Sequence, residues 1–505
     1  MVRGRAAWQK RICFLEGIIM KTRQAINPYM ASWEYVPDAE PHIVDGRVYV
    51  YGSHDLFNGI NFCLGDYVCW SAPVDDLGNW RYEGEIYKRE QDPAAPWFKI
   101  TNGLAAPDMV QGPDGRFYLF YFMGGTKMIS IAVCDEPAGK YEFYGYVSYE
   151  DGIPIGKKDE PFQFDPAIFK DDDGRLYLYV GFAFGGNPIL LDGSKPTEHG
   201  PMVYEIDPSD MKTVLSGPSY IGVLTGEEAK GTAYEPQPFG EASSMRKFGD
   251  TYYFIYSSLN SHNLCYATSK SPVEGFEYGG VLVSCGDIGL GDATDPRHAK
   301  NDTGNTHGSL IEIGGKYYVF YHRHTNRKQS SRQACAEEIR FENGHFYQAE
   351  MTSCGLNGGP LTGKGHYSTC MACNVYGKAG TRFLSMIKRP KNGLPYITQD
   401  GGDRNSGPDQ YVANMCDGSV AGFKYFDLRE TSKIRVNVKG NAQGILEVRT
   451  SEYGEPVSRI RIRPAKGKVT GFSARLEGAG ASDKEALFFV FTGKGSFNFY
   501  SFDLK

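Results

Sequence analysis

Apolar and aromatic positions in the first 350 residues fall in short runs, each following a tight-turn pair. Asp45-Gly46-Arg47-Val48-Tyr49-Val50-Tyr51 returns as Asp114-Gly115-Arg116-Phe117-Tyr118-Leu119-Phe120 and as Asp173-Gly174-Arg175-Leu176-Tyr177-Leu178-Tyr179. Looser copies begin at Gly249-Asp250-Thr251-Tyr252-Tyr253 and Gly314-Gly315-Lys316-Tyr317-Tyr318, so the repeat recurs every 59 to 76 residues. Asp-Gly and Gly-Gly suit a two-residue hairpin turn, because glycine takes a positive φ without steric cost. The run of aromatic and β-branched residues after each turn reads as a strand, and an apolar segment before it as the strand's partner. Each copy is therefore a hairpin with room for further strands. Five such units predict an all-β chain that starts with a five-bladed β-propeller, the rival arrangement being unrelated hairpins in a sandwich.

The repeat ends after Cys354-Gly355-Leu356-Asn357-Gly358-Gly359-Pro360. Beyond it, alternating runs such as Lys433 to Val438, Gly444 to Thr450 and Ala486 to Phe491 predict a β-sandwich. The expected organisation is an N-terminal extension over 1–25, the propeller over 26–355, a linker over 356–366 and the sandwich over 367–505. The extension is basic (Arg3, Arg5, Lys10, Arg11), and Glu16 interrupts its short apolar run. It makes a poor signal peptide and is too short to span a membrane.

Composition narrows the function. A formal net charge of -6 gives no electrostatic reason to expect nucleic acid or an anionic membrane, and a neutral partner suits it better. Eleven cysteines at irregular spacing read as reduced thiols, which predicts a cytoplasmic protein. Cys370 and Cys373 lack the second half of a zinc site and read as buried small hydrophobes. No oligomeric state is specified by the pattern.

The chemistry is suggested by what precedes each turn. Asp38, Asp108, Asp165, Glu241 and His307 stand six to eight residues before their turns, at the start of each unit's first strand. In a propeller those starts meet at one mouth of the central channel. Each residue alone reads as a turn former, a surface acid or a scaffold histidine. Repeated in all five units, they form a cluster of mutually repelling groups that chemistry would explain. Glycoside hydrolysis needs one carboxylic acid to protonate the leaving oxygen and one carboxylate to activate water. A neighbouring charge raises the acid's pKa and keeps its proton available.

At these residues the sequence resembles glycoside hydrolase family 43. The first unit resembles it in Asn27-Pro28-Tyr29, Pro37-Asp38-Ala39-Glu40-Pro41 and Tyr51-Gly52-Ser53-His54-Asp55. The later ones do so in Phe164-Asp165-Pro166-Ala167, Glu241-Ala242-Ser243-Ser244-Met245-Arg246-Lys247 and Asn305-Thr306-His307-Gly308-Ser309. The resemblance implies hydrolysis with inversion, with Asp38 as general base, Asp165 as pKa modulator and orienter, and Glu241 as general acid. It also implies that Asp108 lines the pocket, that Arg332 contacts the sugar, and that His307 sits at the channel axis, where some members bind calcium. No cofactor is required. Glu40 is a rival base, since Pro follows it rather than Asp38, and Glu235 is a rival acid. Trp33, Trp70 and Trp97 are candidate sugar-stacking residues, whereas Trp80 reads as structural.

The C-terminal region is similar to family 6 carbohydrate-binding modules in Asp417-Gly418-Ser419-Val420-Ala421-Gly422-Phe423-Lys424-Tyr425-Phe426. It contains no Trp, and a packing or weakly binding role is expected. The reading as a whole is an exo-acting α-L-arabinofuranosidase on arabinose-containing plant oligo- or polysaccharides, with β-D-xylosidase as its near rival. A non-catalytic glycan binder would be expected to lack part of the acid, base and modulator set. A retaining fructosidase would carry Arg-Asp-Pro where Phe164-Asp165-Pro166 stands.

Overall fold

The computed structural model describes residues 24–95, 103–157, 159–185, 194–384, 392–403 and 410–505. Most of the expected N-terminal extension and Trp97 lie outside the described residues. Among these residues five antiparallel sheets follow one another along the chain, over 40–87, 104–146, 167–220, 239–283 and 309–339. The first four have four strands each and the fifth has three. Each begins with a hairpin at a predicted turn. At Asp45-Gly46 both residues have positive φ (47° and 75°), as the two-residue turn requires, and Val44 pairs with Arg47.

The first strands of the five sheets are Glu40–Val44, Leu104–Gln111, Ala167–Lys170, Phe239–Phe248 and Ser309–Ile313. Each contacts the first strand of the next sheet, and the fifth contacts the first. The apolar clusters follow the same cyclic order. Phe120 and Ile131 of the second sheet pack with Leu178 and Tyr204 of the third. Val50 and Trp70 of the first sheet pack with Phe320 and Ala334 of the fifth. Aromatic residues fill these seams because each strand presents one face to each neighbouring sheet, so both faces are buried.

Two further sheets of six strands each enclose a separate core that includes Phe423, Phe489, Phe499 and Phe502. In Lys433–Gly440 the inward residues are Ile434, Val436 and Val438, alternating as the sequence predicts. Two boundaries differ from expectation. The segment read as a linker carries Leu361–Thr362, which pairs with Val420–Asp427, and Gly365–Ser368, which pairs with Phe497–Leu504. Ala25, assigned to the extension, is buried between the first and fifth sheets.

The C-terminal sheets are tied to the first five by buried polar contacts. Lys424 Nζ lies 3.1 Å from Asp287 and 2.8 Å from Glu350, and Asp287 also accepts from Asn374 and the Met351 amide. Lys424→Met strands the Asp287 carboxylate without its cation and is expected to cost about 3 kcal/mol. The midpoint of thermal unfolding reads this loss, and a midpoint equal to wild type would contradict it.

Candidate active site

The backbone is bent where the site residues sit. Asp38, Ala106, Asp165 and Ala242 have φ of 59°, 42°, 46° and 67°, the left-handed region that non-glycine residues rarely enter. Register shifts accompany the bends between Ala105 and Asp108 and on both sides of Glu241. Such strain clusters at functional sites, where a bend re-aims a side chain.

One cavity of about 290 Å³ is lined by Asp38, Asp165, Glu241, His307 and Arg332, together with a largely aromatic wall. Phe62, Phe122, Phe164, Phe182 and Phe184 form that wall. Five residues predicted from five different positions in the chain are thus brought together.

Asp38 is buried, and its Oδ1 accepts from Arg332 Nη1 at 2.7 Å. Burial raises its pKa, but the Arg332 guanidinium, with smaller contributions around it, brings the net value below the usual carboxylate range. Among the described residues Glu241 has no such cation in hydrogen-bond contact. Burial first, then the Asp38 charge, push it up to about 8, so it holds its proton at neutral pH. Asp165 is raised by burial, then by Glu241 and Asp38, and its Oδ2 accepts from the Ala242 amide at 3.1 Å. The geometry therefore links Asp165 to the backbone beside Glu241, while the charge that raises Glu241 comes from Asp38.

Several expectations need correction. Arg332 reaches the cavity, but its guanidinium is taken up by carboxylates: Nε and Nη2 bond to Asp55 at 2.8 and 3.0 Å, beside the bond to Asp38. It fixes Asp38 more than it offers free hydrogen bonds to the cavity. Asp108 does not line the cavity. The backbone bend in its sheet falls at Ala106, so Asp108 lies two residues further along the strand, as Glu40 does beyond Asp38. There Asp108 bonds His42 Nε2 at 2.7 Å and the Ile168 amide at 2.9 Å. Glu40, the rival base, pairs with Arg246 and Ser244 at that deeper level. Glu235 is exposed and away from the cavity lining. Trp70 is buried with its Nε1 on Glu34, and Trp33 packs against it outside the cavity. The aromatic residues that line the cavity are phenylalanines instead. Trp80, Cys370 and Cys373 are buried, in keeping with structural roles.

Sequence reasoning missed His262, Phe184 and Asp55. Asp55 stood in a quoted motif, where its position 17 residues beyond Asp38 gave no sign that one arginine joins them. His262 and Phe184 follow irregular stretches with no repeat to align them.

The deeper level also offers a cation site. His307 Nε2 and Glu40 Oε1 are buried, lack hydrogen-bond partners and lie 3.9 Å apart. Glu40, His42 and Asp108 also bring one ligand atom each within 4.8 Å of one another. The unpartnered Glu40 oxygen fits a hard cation that keeps several waters, with the His307 imidazole beside it.

Two carboxyl groups of opposite poise lining one concave cavity are what glycoside hydrolysis requires. Residues 35–346 match the family described as glycosyl hydrolases family 43, and the chain belongs to that family. It is 46% identical over 485 residues to a xylosidase/arabinosidase of Thermoclostridium stercorarium, covering 95% of this chain and 99% of that one. An arabinoxylan arabinofuranohydrolase of Bacillus subtilis (strain 168) is 25% identical across 91% of this chain and 88% of its own. Among solved structures, a GH43 β-xylosidase/α-arabinofuranosidase from a compost microbial metagenome, in complex with xylotriose and calcium-free, matches with a TM-score of 0.50. It is 26% identical and covers 65% of this chain and 97% of that one.

Proposed function

We propose that this glycosidase is an inverting exo-enzyme that releases terminal α-L-arabinofuranose from arabinose-containing plant oligo- and polysaccharides. The observation that carries this reading is the opposite poise of Asp38 and Glu241 around a cavity of about 290 Å³, a size suited to one sugar ring. Asp38 takes a proton from water as the water oxygen bonds to the anomeric carbon. The glycosidic C–O bond breaks toward the leaving oxygen, which receives the Glu241 proton. Asp165 orients the Glu241 segment through the Ala242 amide. We read the five sheets as the blades of a propeller over residues 26–355. The cyclic contacts of their first strands support this, as does the family. The C-terminal sheets are a packed partner of that propeller.

Release of β-D-xylose is the second reading. It is favoured by the double name of the Thermoclostridium relative and by a β-xylosidase of Xylanibacter ruminicola that is 29% identical over 316 residues. The test is hydrolysis of p-nitrophenyl α-L-arabinofuranoside and p-nitrophenyl β-D-xylopyranoside side by side. The faster substrate names the sugar, and inactivity on both would overturn the proposal.

In this reading Glu40 and His307 would hold calcium, which would supply positive charge beneath the catalytic acids. Calorimetric titration with calcium chloride is expected to show binding that Glu40→Gln weakens at least about tenfold through loss of one carboxyl ligand. Equal binding by both proteins would contradict this assignment.

A further inference from the structure

The C-terminal region approaches the rim of the catalytic cavity at residues 381–384. Residues 381–384 run beside the segment that leads to His307, with Thr303 and Phe383 joined by a parallel bridge. The Thr303 amide donates to Arg382 O at 2.9 Å, and the Leu384 amide donates to Thr303 O at 2.7 Å. On either side of Phe383 the chain is anchored inward. Arg382 is 2% exposed, is ion-paired with Asp302 at 3.1 Å and donates to the Leu394 and Pro395 carbonyls. Leu384 is also 2% exposed, and its carbonyl accepts from Gln329, a cavity-lining residue.

Between these anchors Phe383 is 60% exposed. An aromatic ring exposed between two buried neighbours leaves its apolar face uncovered. The ring also has a definite neighbour. Its centroid lies 6.4 Å from that of His262, tilted by 33°. His262 in turn stacks on Phe184 at 4.7 Å and 7°, and its Nδ1 lies 3.8 Å from Glu241 Oε1. Phe184, His262 and Glu241 all line the cavity. Burial lowers the His262 pKa to about 4, so the imidazole is neutral and leaves the Glu241 proton in place.

A row of rings therefore leads outward from the cavity wall beside Glu241 to Phe383 at the rim. Glu241 is the proton donor in the function proposed above, and this inference rests on that reading. The group leaving from a general acid lies on the acid's side of the scissile bond. We infer that Phe383, supplied by the C-terminal region, is the stacking platform for the sugar on the leaving-group side, a specificity residue that favours glycans over simple alkyl glycosides. Sugar rings present C–H faces that pack on aromatic planes, and a pre-oriented ring binds them with little ordering cost.

The experiment compares two substrates of the same terminal sugar. One is an oligosaccharide whose leaving group is a sugar. The other is the methyl glycoside, whose leaving alcohol also requires protonation but has no ring. Phe383→Ala is expected to lower kcat/KM on the oligosaccharide about tenfold, mainly through KM, and to leave the methyl glycoside unchanged. Phe383→Trp is expected to restore the oligosaccharide rate. An unchanged oligosaccharide rate in Phe383→Ala would overturn the inference, as would an equal loss on both substrates. If the wild type itself turned over neither substrate, the glycosidase reading would fall, an outcome distinct from the failure of Phe383 alone.

Discussion

Asp38→Asn is expected to lower kcat about 10³-fold or more on every substrate, regardless of leaving group, because the attacking water loses its base. The substitution keeps the side chain's size and one oxygen for Arg332, and Arg332 retains its two bonds to Asp55. The variant should therefore fold and bind while failing in chemistry. Steady-state kinetics on an activated aryl glycoside and on an oligosaccharide give the answer. A loss confined to one of them, or a residual rate above a tenth of wild type, would contradict the role.

Glu241→Gln should divide substrates by leaving group. An oligosaccharide needs its departing oxygen protonated, so its hydrolysis should fall about 10³-fold, while a dinitrophenyl glycoside, whose leaving group departs as an anion, should fall far less. The pH profile carries a second signature. Glu241 is active as the protonated acid, and burial with the Asp38 charge lifts its pKa to about 8. Wild-type kcat/KM is thus expected to hold through neutrality and decline as pH rises past about 8. In Glu241→Gln that alkaline limb should vanish. In Asp38→Asn the residual activity should show the limb displaced toward lower pH, since the charge that raises Glu241 is gone. A limb unmoved in both variants would assign the titration to another group.

Much of this site was legible because the repeat carries its own ruler. The turn signal places Asp38, Asp165, Glu241 and His307 at one level, and these residues do share one cavity. The same ruler misplaced Asp108, which stands two residues beyond the bend at Ala106, and those two residues of strand move its side chain one level deeper. Glu40, the rival base, follows the bend at Asp38 by two residues, and its pairing with Arg246 away from the cavity lining was not readable from the pattern. Arg332 was recognised, yet which of several carboxylates a buried guanidinium joins is decided by tertiary packing. The tryptophans misled for a simpler reason: a large aromatic serves a seam between sheets as well as a sugar, and the pattern of apolar positions does not distinguish the two. Phe383 lies outside the repeat altogether, and its place beside His262 depends on how the C-terminal sheets dock.

The most direct test of the account follows the product's anomeric configuration by proton NMR as the wild-type enzyme hydrolyses its preferred glycoside. A single displacement by water activated at Asp38, with Glu241 as donor, yields the inverted anomer first, before mutarotation mixes the two. Initial release of the retained anomer would require a covalent intermediate, and that would contradict the assignment of Asp38 as a base.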